Sequence, residues 1–404
     1  MSLTLKLLPM AKKAKKLHTS KGVELKIVNP NAAGIDIADT EMQVCVPAGR
    51  DGENNRRFGS FTRDINEISE WLKACSIDTV AMEATGIYWI PVFFKLQKDG
   101  FDVQLCNARE VKNISEKKTD EADAEWLMLL HSYGLLKPSF QPENAARQVR
   151  NLARHRSNLL RSAGKEVQHM QKAMEQMNLK LTNVLSDIVG LSGQRIISAI
   201  LEGERNPEAL SQLAHGRCKR SKEDIALSLE GTWDADHMFE LKQSYELYQI
   251  YQEKVTECDR EIEKLLRAFA ATIDTDKAQL VRCDKTICKK NAVGFDVEAY
   301  GYSLWGVNTM AISGMSAGSV LQLIGELGTD FVEKFDSPAK FCKWCNLVPN
   351  NKISGGKLIS SRVPKRKNPV GQIFRQCANT VSKSKNPMGF YFRRIKSRGG
   401  HMAA

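Results

Sequence analysis

The sequence predicts an α/β domain followed by a mostly α-helical remainder. Three observations carry this reading. Between Ala33 and Cys106, short apolar runs alternate with segments of helical period. Past Pro142, apolar residues recur every three or four positions over long stretches, as in amphipathic helices. From Ile312, a glycine turn leads into a further apolar helix ending at Gly328.

The first 30 residues carry seven Lys and one Glu around Leu5, Leu7 and Leu8, and read as a mobile basic arm. Residues 31–142 form the α/β domain. Ala33–Ala38 reads as a strand, Met42–Val46 as its hairpin partner and Arg57–Phe61 as a third strand. Ile65–Cys75 has helical period, Asp78–Glu83 is a strand, and the Thr85-Gly86 turn leads to a helix from about Ile87 to Lys98. Phe101–Cys106 is a further strand and Asp120–His131 a helix.

Residues 143–280 form the long-helix region. Val149, Leu152, Leu159, Ala163, Val167, Met170, Met174, Met177 and Leu181 make one stripe. A second set, Met238, Leu241, Tyr245, Tyr248, Val255, Ile262, Leu266 and Phe269, keeps a three-four register broken at Gln252 and Asp259. That register fits a coiled-coil hairpin or a dimer seam. Ordinary bundle core fits it equally. Residues 281–404 form the C-terminal domain.

The chain has 404 residues, 59 Lys and Arg against 47 Asp and Glu, and a net charge of +12, which favours a polyanionic partner. From Lys352 onward there are 13 Lys and Arg and no acid. Ile353, Val363, Ile373, Phe374, Phe390, Tyr391, Phe392 and Ile395 interleave with those charges, so the segment folds and carries its charge on a surface. Ten scattered cysteines and the lack of a secretory apolar segment point to a reducing compartment, the cytoplasm. No apolar run reaches membrane-spanning length. Cys342 and Cys345 form a single C-x-x-C, but Cys283 and Cys288 have the wrong spacing to complete a zinc site; buried free thiols are the better reading.

The chemistry-bearing residues are four acids, two where carboxylates meet apolar strands and two on a helix. Asp36 lies in Gly-Ile-Asp-Ile, Glu83 ends the strand Thr-Val-Ala-Met-Glu, and Asp120 and Asp123 are three apart on one helix face. Singly they read as a turn residue, a cap and a solvated first turn. In that order along an α/β pattern, they match a ribonuclease-H type fold. Gathered together, four carboxylates repel unless divalent cations neutralise them; magnesium suits hard oxygen donors, and a pair of ions can serve phosphoryl transfer.

The sequence resembles the DEDD transposases of the insertion sequence 110 family. The segments that carry the resemblance are Gly34–Ala38, Met82–Trp89 and Lys118–Leu127, then Ile312–Gly328, Trp344–Pro349 and Ile353–Lys357. The resemblance implies an RuvC-like domain whose catalytic acids Asp36, Glu83, Asp120 and Asp123 bind magnesium, with manganese as a substitute. It implies a coiled coil joining this domain to a transposase domain whose nucleophile is Ser354, giving a composite active site. It also implies a structured guide RNA, donor and target DNA, and a homo-oligomer, dimer or tetramer.

Arg147, Arg150, Arg154 and Arg156, with Arg161 beyond them, and Lys352, Lys357, Arg362, Lys365, Arg366, Lys367 and Arg375 are the candidates for nucleic-acid contact. Gly314-Met-Ser316 resembles the hairpin of a helix-hairpin-helix, with serine in place of its second glycine. A junction-resolving nuclease would share the acids without Ser354, and a non-catalytic scaffold would bind no ions. A sugar-kinase relative is disfavoured because no phosphate-cradling glycine loop follows Gly34-Ile-Asp36.

Overall fold

The computed structural model describes residues 26–84, 86–106, 120–272, 280–283, 290–364 and 368–400, with the side chains of Asp120 and Glu121 outside that set. The expected basic arm up to residue 25, Cys288, and Lys365, Arg366 and Lys367 also lie outside the described residues. Two compact units divide the chain between Phe140 and Gln141. No helix among the described residues is long and apolar enough to cross a membrane.

The first unit is a five-stranded mixed sheet. Strands β1 (Ala32–Ile37), β2 (Glu41–Cys45), β3 (Asn55–Gly59), β4 (Thr79–Glu83) and β5 (Asp102–Cys106) lie in the order β3-β2-β1-β4-β5. β1, β2 and β3 pair antiparallel, whereas β4 runs parallel to β1 and β5 parallel to β4. The third strand begins two residues before the expected Arg57. It ends at Gly59 because Phe61 opens helix α1 (Thr62–Ala74), its N–H donating to Asp64 Oδ2 at 2.9 Å.

Alternation of side chains sorts the sheet into two faces. On one face Ala33, Ile35, Ile37, Val80 and Met82 share a core with Ile68 and Leu72 of α1 and with Val92 and Leu96 of α2 (Trp89–Lys98). Each of the Val, Leu, Ile and Met side chains contributes about 1.5–3 kcal/mol by leaving water. On the other face lies α3 (Asp120–Ser132). Gly34 is required there: a Cβ would meet Ala124 O and Met128 N, both at 2.3 Å. Ala81 packs on Leu127 and Leu130, and His131 Nε2 lies 2.8 Å from Thr79 Oγ1.

The second unit is built on α4 (Asn144–Gln176) and α9 (Ala235–Ala271), two long helices that run antiparallel. Met170 and Met174 share a core with Leu241 and Tyr245, whereas Ala146 and Val149 meet Leu266 and Phe269. The three-four register is therefore packed within one chain. Between the two helices, α5 (Leu181–Val184), α6 (Leu191–Leu201), α7 (Pro207–Gln212) and α8 (Lys222–Leu227) form an insert on the Met170–Met177 end.

The C-terminal part joins the same unit through α10 (Val297–Trp305) and α11 (Ala317–Leu327), whose Leu304, Val320, Leu321 and Ile324 share a core with Val149 and Ile262. α12 (Phe331–Lys334), α13 (Pro338–Trp344), the hairpin β6 (Lys352–Ser354) and β7 (Lys357–Ser360), α14 (Pro369–Val381) and α15 (Pro387–Gly399) follow. The acid-free segment thus folds into a hairpin and two helices, each helix opened by an Asn-Pro cap, Asn368 and Asn386.

Candidate active site

Asp36 and Glu83 are brought level by the parallel register, which runs from Ala32 opposite Thr79 to Ile35 opposite Met82. Each lies two residues beyond a residue that faces α3, Gly34 and Ala81 respectively, so both carboxylates belong to the α3 face. α3 runs back along the sheet, with His131 over the start of β4 at Thr79 and Ala124 nearer the strand ends. Its first turn, bearing Asp123, therefore overhangs the ends of β1 and β4. Asp120 heads that helix, with its side chain outside the described residues.

Asp36 is half-buried, and its Oδ1 accepts the Ile37 N–H at 3.1 Å. Asp123 is half-buried and Glu83 is 6% exposed. Burying a carboxylate costs several kcal/mol unless its charge is met, and Asp36, Glu83 and Asp123 each have a further interaction within the protein. Sequence reading missed Glu41, which lines a small recess with Asp36, Ala38 and Gln43 and is paired with Arg57. Its signal was alternation along the hairpin, since Asp36 stands opposite Gln43. Among the described residues no three acid, His or Cys side chains stand close enough to hold an ion.

Ser354 ends β6 and faces solvent. Gly355 and Gly356 have φ of +54° and +73°, so the two residues form a primed two-residue turn that only glycine-like residues enter cheaply. The Ser-Gly-Gly run is therefore a defined hairpin tip, flanked by exposed Lys352, Lys357 and Arg362.

The arginines of α4 divide. Arg156 is 5% exposed and held by Asp259, with its Nη2 also donating to Ala292 O at 2.9 Å, so it presents no charge to a phosphate backbone. That corrects its assignment as a nucleic-acid contact. Arg154 forms a two-pronged pair with Glu326 at 2.8 and 2.9 Å, and its side chain stays 54% exposed. Arg147 and Arg150 are half-buried, and burial draws both below the ordinary arginine pKa. Arg150 Nε is buried with no hydrogen-bond partner among the described residues. Arg161 is exposed. Arg375 is half-buried and donates to Asn346 O, holding the end of α13.

Gly314 has φ +85°, and a Cβ there would meet Cys377 O at 2.4 Å, so this turn is packed against α14. Ser316 caps α11, its Oγ accepting the Ser319 N–H at 3.2 Å. The serine that replaces glycine thus occupies one of the helix's own amides. Cys345, at the end of α13, is fully buried and Cys342 half-buried.

Two family models match the chain. The DEDD transposase model of IS110 elements covers residues 33–179, and the model of the IS116/IS110/IS902 transposase family covers residues 308–392, together more than half of the sequence. The chain belongs to the IS110 transposase family. No curated protein matches it. The first matched segment holds Asp36, Glu83, Asp120 and Asp123; the second holds the Gly314 turn and Ser354. This IS110 transposase is a DNA transposase or recombinase, and the DEDD family implies dependence on a divalent metal.

Proposed function

We propose that this transposase cuts and rejoins DNA at a divalent-metal site formed by Asp36, Glu83, Asp120 and Asp123, with Ser354 as nucleophile and a structured RNA of its own element as guide. The observation that supports this most is the meeting of Asp36 and Glu83 at level positions of adjacent parallel strands, beneath the turn of α3 that bears Asp123. The β3-β2-β1-β4-β5 order with three antiparallel strands first supports an RuvC-like reading of residues 31–142. We read residues 143–280 as a coiled-coil region, residues 281–404 as the transposase domain and the assembly as a dimer or tetramer in the bacterial cytoplasm.

The four candidate ligands are all carboxylates, hard oxygen donors that fit magnesium, with manganese able to replace it. Bound there, such ions would offset phosphate charge and favour loss of a proton from an attacking hydroxyl. Ser354 Oγ supplies the attacking oxygen. Its bond to phosphorus forms as the bond to a strand oxygen breaks, so one DNA end stays joined to protein and can be passed to a new strand. Lys352, Lys357 and Arg362 draw the phosphate backbone to the hairpin, and Arg147, Arg150, Arg154 and Arg161 offer charge to the RNA backbone.

The test mixes purified transposase, guide RNA, magnesium and end-labelled DNA, quenches with detergent and follows the label by electrophoresis. Label should migrate with protein until protease is added, and Ser354→Ala should abolish that species. Free cleaved ends from the unaltered protein would replace the serine mechanism with metal-dependent hydrolysis of the junction-resolvase kind.

A further inference from the structure

The insert α5–α8 lies between the two segments that the family models match. It borders a half-open cavity of about 390 Å3, a size that takes a small organic group rather than a bare ion.

One side of this cavity is cationic. Arg217, Lys219 and Arg220 line it, all three are exposed, and none is in an ion pair among the described residues. Their loop is anchored at both ends. Lys222 Nζ donates to the carbonyls of Ser211, Gln212 and Ala214 at 2.8, 3.0 and 2.7 Å, and the His215 N–H donates to Ser192 Oγ at 2.9 Å. Fixing the loop this way keeps three like charges together, an arrangement that repels itself unless an anion enters. The one carboxylate in the lining, Asp187, is paired with Lys290 at 2.8 Å.

The other side is apolar. Val184 and Leu185 line it, and Leu191, in the first turn of α6, is 56% exposed. Cations beside an uncovered leucine match the two ends of a nucleotide, phosphate and base. A duplex keeps its base faces stacked, so only an unpaired nucleotide can offer both at once.

We propose that this cavity binds an unpaired nucleotide of a nucleic-acid strand, with the phosphate on Arg217, Lys219 and Arg220 and the base against Leu191. The site is independent of the metal and serine assignments, because it uses none of those residues.

Binding of the full-length protein is measured by fluorescence anisotropy with labelled 12-mers of oligo(U), oligo(dT) and an abasic deoxyribose-phosphate strand, across salt concentrations. Arg217→Ala/Lys219→Ala/Arg220→Ala should weaken binding tenfold or more at low salt. It should also lower the slope of log affinity against log salt by about 0.7, as expected when one single-strand phosphate contact is lost. Leu191→Ala should weaken binding several-fold with the slope unchanged and leave the abasic strand unaffected. Losses confined to oligo(U) assign the nucleotide to RNA, losses confined to oligo(dT) assign it to DNA, and losses with both mean that the pocket reads the shared chemistry. Unchanged affinity in both variants overturns the site. A charge effect without any Leu191→Ala effect overturns the nucleotide reading.

Discussion

Arg156 of α4 and Asp259 of α9 form a two-pronged ion pair inside the long-helix core, with Nε to Oδ1 at 2.5 Å and Nη2 to Oδ2 at 3.2 Å. Both residues are 5% exposed, and Asp259 also accepts the Gly294 N–H at 3.0 Å. Removing either partner leaves an uncompensated buried charge. Asp259→Ala and Arg156→Ala should therefore each destabilise the protein by about 3–5 kcal/mol. Urea unfolding measures this. The salt dependence of nucleic-acid binding should stay as in wild type, whereas a flatter slope in Arg156→Ala would return that residue to the phosphate-binding set.

Asp36→Ala, Glu83→Ala, Asp120→Ala and Asp123→Ala should each abolish strand transfer while nucleic-acid binding is largely kept, because each removes a metal ligand rather than a phosphate contact. Chelation of divalent ions from wild type should reproduce the same split. Full recombination by any two of these variants would sink the assignment.

Gly314→Ala should cost about 1–3 kcal/mol, since φ of +85° disfavours a Cβ and the added carbon would meet Cys377 O at 2.4 Å. The urea midpoint reads the loss. Gly355→Ala tests the contrast, because nothing lies within 4 Å of its Cβ position and only the backbone conformation resists.

His131 is 1% exposed and burial lowers its pKa, with the nearby Asp102 opposing. The unfolded chain takes up this proton near pH 6.5, the folded chain only at lower pH. Between the two values the unfolded state binds more protons, so the histidine's contribution is full above pH 6.5 and is lost as pH falls through that window. Melting temperature should drop from pH 7 to pH 5.5 more steeply in wild type than in His131→Gln. Superimposable profiles would remove His131 from the acid sensitivity.

Burial pushes the thiols of Cys45 and Cys345 up to about 12, with Glu125 adding to the effect at Cys45. Both are fully buried. Mass spectrometry after iodoacetamide treatment at pH 8 should find them unmodified in the folded protein and alkylated in urea. Rapid native labelling of Cys345 would show that α13 opens locally.

Much of the first unit was legible because its strands are short, apolar and separated by turns, a signal that is local in sequence. The candidate order Asp36, Glu83, Asp120 and Asp123 was drawn from two acids conspicuous among apolar strand neighbours and two spaced three apart on a helix. The break in the three-four register at Asp259 was visible too, but its meaning was not. An arginine on an amphipathic helix reads as solvated until its partner is known, and Asp259 lies 103 residues away. The insert cavity escaped for a related reason: Leu191 opens α6 and Arg220 lies in a separate loop, and the two share no period. Gly314 showed the need for a turn, but its contact with Cys377 depends on a packing partner that no spacing reveals.

The antiparallel pair of long helices also sets a length. Thirty-three residues of α4 at 1.5 Å each make a rod of about 50 Å, with the insert at one end and α10 and α11 at the other. A duplex touching both ends must cover about fifteen base pairs at 3.4 Å per step. Whatever sequence is read there, the spacing between two such contacts is fixed by the rod, so lengthening α4 and α9 together by two turns should move one footprint boundary by about three base pairs and leave the other in place.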